Sequence, residues 1–255
     1  MKSIYSIPRI IKMTLMCLLL MHVGILASTV WAQPSAVAVG ATSALPNAFK
    51  ANYSVARGNM VLGNLHANLH YSGNNYQYKK YTKATGVAAL LTGIKITENT
   101  AGQISGLEVI PKSYLFNQSR RSKSRIDKAT FSGKKAVGSY KGKPYNLVIP
   151  TGTQDRASLE LALARDIAQN KPRLQYNVLE RGKLKQYRFQ RLGNEKITTS
   201  MGSYNSIKVK VIRNDNKRET IFWLAKEFDF LPVKLMHTEK GEVITTTIKN
   251  YQKLK

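Results

Sequence analysis

Apolar and polar side chains alternate along most of this chain. Val61, Gly63, Leu65, Ala67, Leu69 and Tyr71 fall on one face of an extended segment, and Asn64, His66, Asn68 and His70 on the other. A period of two marks a half-buried strand. Arg57-Gly58-Asn59 before it and Ser72-Gly73-Asn74-Asn75 after it supply turn chemistry, because Gly and Asn tolerate positive φ. Tyr53 to Val55 then pairs upstream and Tyr76 to Lys83 downstream. The same grammar returns later. Leu174, Tyr176 and Val178 alternate with polar residues, and Glu180-Arg181-Gly182-Lys183 turns into Leu184 to Leu192. Ile207, Val209 and Val211 alternate with lysines, and Thr220 to Leu224, Val233 to His237 and Val243 to Ile248 complete a meander. Strands joined by such short turns run antiparallel, since parallel pairing needs a crossover of about a dozen residues or more.

One segment departs from the pattern. Between Thr153 and Asn170, Leu159, Leu163 and Ile167 recur at helical spacing among alanines. Asp155 and Glu160 suit the positive end of a helix dipole, Lys171 and Arg173 lie beyond its negative end, and Pro172 stops it. Val87 to Leu91 reads equally as a short helix or a buried strand. The predicted fold is mostly β: a curved antiparallel sheet, half-open barrel or clam-like, with one packed α-helix covering it.

The N-terminus follows another pattern. Lys2, Arg9 and Lys12 precede an apolar run from Met13 to Leu26, and Val30-Trp31-Ala32 offers a cleavage context before Gln33. Residues 1–32 are read as a signal peptide, 33–46 as an uncharged flexible leader, and 47–255 as a single β-rich domain. The alternative is an uncleaved membrane anchor, because the apolar character persists to Val30. Cys17, the one cysteine, leaves with the signal, so the mature chain has no disulfide and no thiol chemistry.

Charge changes the picture most. The chain carries 40 Lys and Arg against 14 Asp and Glu, a formal net charge of +26. An exported cationic protein meets lipid phosphates and acidic glycans rather than chromosomal DNA, so the expected partners are anionic lipid, lipopolysaccharide or acidic glycan, and not nucleic acid.

Catalytic patterns are weak by comparison. His66 and His70 on a strand lie about 13 Å apart, too far to share one zinc ion, and no metal or other cofactor is expected. Ser139 and Ser203 follow glycines without a nucleophile elbow. Glu98, Glu108, Glu180 and Glu195 are isolated acids, read as surface counter-charges. Gly133-Lys134-Lys135 and Gly142-Lys143 lack the spacing of a phosphate loop. The strongest candidate is a basic stretch: Lys112, Arg120, Arg121, Lys123, Arg125, Lys128, Lys134, Lys135, Lys141 and Lys143, opposed only by Asp127. Tyr114, Phe116, Phe131, Tyr140 and Tyr145 are interleaved with it. Such a surface suits phosphate or glycan binding, and equally suits edge strands kept soluble by cations.

Several short motifs stand in a telling order. Ile94 to Asn99 leads through Gly102-Gln103-Ile104 to Pro111-Lys112-Ser113-Tyr114; Phe131 lies in a basic strand; Asp155-Arg156-Ala157-Ser158-Leu159 opens a helix. Met201-Gly202-Ser203-Tyr204, Trp223-Leu224 and Leu231-Pro232-Val233-Lys234 follow. The chain resembles the DUF3108 family of exported bacterial proteins of unknown function, over nearly all of its mature length. Arg156 stands where the family's helix start carries proline. The resemblance implies an envelope location and a β-rich fold similar to the curved sheets of periplasmic lipoprotein carriers, and it implies no catalytic residues.

The leading reading is therefore a non-catalytic periplasmic or cell-envelope protein that binds anionic envelope components through a basic β-rich surface. A lipid or lipoprotein carrier with an acyl-chain cavity beneath the helix is the first alternative. A cell-wall glycan hydrolase with paired carboxylates is the second.

Overall fold

The computed structural model describes residues 44–121, 123–214 and 217–254. The signal-peptide assignment, Cys17 and most of the leader lie outside the described residues.

Among the described residues, alternating burial and tight turns produce fourteen strands. The first run is β1 (Phe49–Arg57), β2 (Met60–Ser72), β3 (Asn75–Ala84), β4 (Lys95–Ser105), β5 (Glu108–Arg120), β6 (Lys123–Ser132), β7 (Lys135–Tyr140) and β8 (Lys143–Val148). The second is β9 (Leu174–Glu180), β10 (Lys183–Thr199), β11 (Gly202–Ile212), β12 (Arg218–Ala225), β13 (Leu231–Glu239) and β14 (Glu242–Lys253). Strands account for 69% of the structure. Two helices interrupt them: α1 (Gly86–Thr92) between β3 and β4, and α2 (Ser158–Ala168) between β8 and β9.

All pairings between strands are antiparallel neighbours in sequence, except that β1 also pairs with β14. The first and last strands thus meet in the middle of the sheet, and its free edges are β8 and β9. Because every turn reverses direction, the odd-numbered strands all end at one end of the sheet, here called the upper end.

The ladder does not close between β8 and β9, yet three devices span the gap. Gln154 forms an isolated parallel bridge to Val178, through Gln154 N–H to the Asn177 carbonyl and Leu179 N–H to the Gln154 carbonyl, each 2.8 Å. The Asp127 carboxylate on β6 accepts the Arg181 N–H at 2.7 Å. Tyr145 on edge strand β8 lies between Gly138 and Gly182, and its hydroxyl donates to the Lys128 carbonyl at 2.9 Å. Both glycines are required there: a Cβ on Gly138 would stand 2.6 Å from the Tyr145 hydroxyl, and one on Gly182 would stand 2.8 Å from its ring.

Helix α2 packs against β5, β9 and β13. Leu159, Leu161, Ala162, Leu163, Ala164 and Ile167 are all buried, so the helix is enclosed on more than one side. Asp155 starts it. Its Oδ1 accepts the Ala157 and Ser158 N–H groups at 2.8 Å, and Ser158 Oγ accepts the Asp155 N–H at 3.0 Å. This reciprocal cap satisfies donors that a helix start leaves bare. Asn170, at positive φ, ends the helix, and the Lys171 N–H returns to the Asp166 carbonyl at 2.9 Å. The lower end is closed by rings: Phe49 stacks on Tyr251 at 5.6 Å, Tyr251 meets Phe228 at 4.9 Å, and Phe228 meets Tyr204 at 4.8 Å.

The predicted fold class holds: a mostly β, open antiparallel sheet with a helix packed inside it. The ambiguous segment at Val87 to Leu91 resolves as helix, α1, and none of its residues is buried.

Candidate functional site

The predicted basic stretch does not converge. Lys112, Lys128 and Lys135 are exposed on β5, β6 and β7. Lys134 is in the lower β6–β7 turn. Arg120, Arg121, Lys123, Lys141 and Lys143 gather at the upper turns β5–β6 and β7–β8. Arg125 separates from them: its guanidinium lies over the Phe116 ring at 5.5 Å, half-buried. Of the interleaved aromatics, Tyr114, Phe116 and Phe131 are buried core. His66 is exposed and bonded to Asn52 at 2.6 Å, and His70 is exposed on the same face of β2. Among the described residues no group of three or more His, Cys, Asp or Glu is placed to hold a metal ion.

The reading of the isolated acids needs correction. Glu108 and Glu195 are exposed, but Glu98 and Glu180 are each only 5% exposed. Both belong to an interior polar system that begins on β3. There the Lys80 ammonium binds Glu98 at 2.9 Å and also Glu160 of α2. The Tyr78 hydroxyl donates to Glu160 at 2.9 Å and the Tyr114 hydroxyl to Glu98 at 2.7 Å. Arg156, at the start of α2, lies 3.7 Å from Glu98 and 5.1 Å above the Phe116 ring.

Burial alone would raise the Glu98 carboxyl, but Lys80, Arg156 and the Tyr114 hydroxyl outweigh it and hold the group at about 2. Lys80 is held firmly protonated: burial disfavours its charge, and the two carboxylates more than offset that. Asp155 behaves oppositely. Burial lifts it to about 6, only partly opposed by Thr100 and the helix N–H groups. In this seam two cations face two carboxylates at close range, and every charge has a partner.

Beyond Arg156 the balance changes. Inward-facing positions of β10 to β13 open into an upper mouth of about 1000 Å³, at the large end of ligand-site volumes. Arg156, Arg181, Lys185, Arg188, Arg213 and Arg218 line it, with Glu180 and Glu239 as the acids. Glu180 is already committed: it accepts from Lys185 at 2.9 Å and Tyr187 at 3.0 Å, with Arg181 at 3.3 Å. Burial would raise its carboxyl, and these donors together with Arg156 hold it below the usual range. Glu239 is exposed, 3.9 Å from His237. Arg213 donates to Thr220 at 3.2 Å, while its Nε is buried with no partner.

Below the mouth, and sharing Arg156, Tyr187 and Val211 with it, lies an apolar cleft of about 160 Å³ lined by Leu159, Leu163, Phe189, Phe222, Leu224 and Leu235.

Comparison with known proteins shows the family and the fold. The family model described as "Protein of unknown function (DUF3108)" matches residues 52–249, so the chain belongs to that family. No curated protein matches. Among solved structures, a β-barrel-like protein of the domain of unknown function DUF1849 from Brucella abortus superposes with a TM-score of 0.54 at 10% identity. The match covers 82% of this chain and 98% of that one. At that identity the likeness concerns the fold alone. Among the described residues, no helix is long and apolar enough to cross a membrane.

Proposed function

We propose that this member of the DUF3108 family is a non-catalytic periplasmic protein of the cell envelope, exported by its N-terminal signal. Its upper mouth holds the anionic group of an envelope component. The supporting observation is the charge imbalance there: Arg156 before α2, Arg181 in the β9–β10 turn, Lys185 and Arg188 on β10 and Arg213 after β11 converge on a cavity whose one buried acid is already satisfied. Phosphorylated lipid headgroups, lipopolysaccharide phosphates and acidic glycans share the chemistry such a cavity takes, since arginine forks match phosphate and carboxylate oxygens. The upper-end cations of the basic stretch, Arg120, Arg121, Lys123, Lys141 and Lys143, extend the positive field that draws such groups in, and Lys112, Arg125, Lys128, Lys134 and Lys135 add to it from elsewhere.

Titration with a water-soluble short-chain anionic phospholipid, below its micelle concentration and across a salt series, tests this. Binding weakens as salt rises, and Lys185→Gln with Arg213→Gln weakens it at least about tenfold, the loss of one to two charge-assisted hydrogen bonds. No binding, or equal and salt-insensitive binding of a zwitterionic analogue, rejects the reading.

The carrier alternative is favoured by one observation, the apolar cleft directly beneath the mouth. At about 160 Å³ the cleft is smaller than the roughly 300 Å³ at which ligand pockets begin, so it does not enclose a lipid tail as it stands. The hydrolase alternative has less support. Glu98 is held ionised, and the carboxyls that burial raises, Asp155 and Asp127, are bound to backbone N–H groups.

A further inference from the structure

Helix α1 is out of keeping with the rest of the molecule. Its sequence is Gly-Val-Ala-Ala-Leu-Leu-Thr, yet Val87, Leu90 and Leu91 are 64%, 78% and 71% exposed. It lies against β2 and β3, and the Thr85 N–H beside it bonds the Leu62 carbonyl at 3.0 Å. Met60 and Val61, at the start of β2, are half exposed as well. The segment holds itself by local means: the Thr92 hydroxyl donates to the Ala88 carbonyl at 2.7 Å, and Gly93 closes it in the left-handed region. So short a helix does not persist on propensity, and its apolar side chains stand away from the core that would reward them.

Cations frame this patch. Across the strand ends, Lys83 pairs with Lys95, Lys95 with Ser119, and Arg120 with Lys123. These form one row of exposed basic residues along the upper rim of β3 to β6, with Lys83 and Lys95 on one face of the sheet and Arg120 and Lys123, one register step on, facing the other. Arg121 ties the row to the helix, donating to the Leu90 carbonyl at 2.9 Å. Of the acids close to it, Glu242 is paired with Arg57, the register partner of Met60, at 2.8 Å, and Glu98 is buried and paired. A second copy of this chain seated here would bring two such rows together in a molecule of net charge +26. An anionic bilayer satisfies both halves of the patch at once, with apolar tips in the headgroup–acyl boundary and Lys and Arg among the phosphates.

We propose that α1, with Met60 and Val61, is a membrane-docking element that enters the interface of an anionic bilayer, held by Lys83, Lys95, Arg120, Arg121 and Lys123. The proposal shares with the preceding reading only its anionic envelope target. Since α1 and the mouth lie at the same end of the sheet, docking turns the mouth toward the lipid surface.

Co-sedimentation of the protein with phosphatidylglycerol and with phosphatidylcholine vesicles is the test. The wild type partitions onto the anionic vesicles and scarcely onto the zwitterionic ones. Leu90→Asp with Leu91→Asp lowers that partition at least about tenfold while leaving the melting curve unchanged, because both side chains are exposed. Lys95→Gln with Arg120→Gln and Lys123→Gln lowers it and flattens its salt dependence. A Leu90→Trp variant gives added fluorescence that shifts to the blue on vesicles and is quenched by acyl-brominated lipid. Undiminished vesicle binding by the double aspartate variant overturns the proposal, as does an unshifted Leu90→Trp emission. So does a dimer in sedimentation equilibrium that the aspartates dissolve without affecting vesicle binding, which would assign the patch to a second copy. The two readings separate cleanly. The aspartate variant retains short-chain phospholipid binding at the mouth, whereas Lys185→Gln with Arg213→Gln retains the Leu90→Trp blue shift.

Discussion

The seam and the mouth use the same side-chain chemistry to opposite ends. In the seam, Lys80 sits between Glu98 and Glu160, and Tyr78 and Tyr114 take up remaining oxygens. In the mouth, basic side chains converge from several elements while Glu180 is already saturated by its own neighbours. Arg156 lines both, which makes it the hinge of the comparison. In the seam, paired charges tie Glu160 of α2 to Lys80 on β3 and Arg156 at its start to Glu98 on β4. At the mouth the cations outnumber the acids that line it, and water reaches them.

The largest expected effect comes from breaking the seam. Lys80→Met leaves the buried Glu98 and the partly buried Glu160 without their shared cation, a class of change that costs about 3–5 kcal/mol. For a domain of this size that lowers Tm by roughly 10 °C or more. Adding Glu98→Gln and Glu160→Gln to Lys80→Met restores part of the loss, since neutral amides need no counter-ion. Thermal melts of the single and triple variants check this; equal melting of the two would mean the seam is not an electrostatic unit.

Proton linkage sharpens the same contrast. Glu98 is depressed from 4.5 to about 2, so its contribution is complete above about 4.5 and is lost as pH falls toward 2. The shift corresponds to something on the order of 3 kcal/mol. Asp155, lifted from 3.8 to about 6, has the opposite sign. The folded state holds its proton more tightly, so stability is greatest below 3.8 and declines as pH rises through 6. Urea titrations from pH 2 to 7 then show a rise on the acid side and a fall above it. Glu98→Gln shrinks the rise, leaving the part due to Glu180 and Asp166. Asp155→Asn shrinks the fall, leaving the part due to Asp127, and the amide oxygen still accepts the Ala157 and Ser158 N–H groups.

Much of this architecture was legible in the chain, and the illegible parts share a cause. Period-two alternation between Val61 and Tyr71 and between Ile207 and Val211 marks strands, because each residue's face depends only on its immediate neighbours. Helix α2 was readable for the same reason, and Asp155, which opens it in the sequence reading, caps it in the structure. The seam was not readable. Glu98 and Lys80 become partners through strand register, and Glu160 joins them only when α2 folds back across the sheet. The mouth lay half in view: continuing the inward face of Val209 and Val211 by one step reaches Arg213, and Lys185, Tyr187 and Phe189 repeat the pattern on β10. A linear run of cations was the more conspicuous signal, but side-by-side basic residues on a strand point to opposite faces and so do not converge.

The smallest expected effect on stability falls on the mouth, and its smallness is what distinguishes the two regions. Lys185→Gln with Arg213→Gln removes positive groups that repel their neighbours, while Glu180 keeps its bonds to Tyr187 and Arg181. The lost bonds to Glu180 and Thr220 work against that relief. Stability without ligand therefore changes by no more than about 0.5 kcal/mol, the range of ordinary surface substitutions. Added anion separates the proteins: at about 100 times its dissociation constant a ligand stabilises the wild type by roughly 2.7 kcal/mol, a rise of several degrees in Tm. The variant, binding at least about tenfold more weakly, gains at most about 1.4 kcal/mol at the same concentration, roughly half as much. Melting with and without the short-chain phospholipid reads both quantities in one experiment. A variant that melts as low as Lys80→Met would show that the mouth cations hold the fold together and are not reserved for an anion.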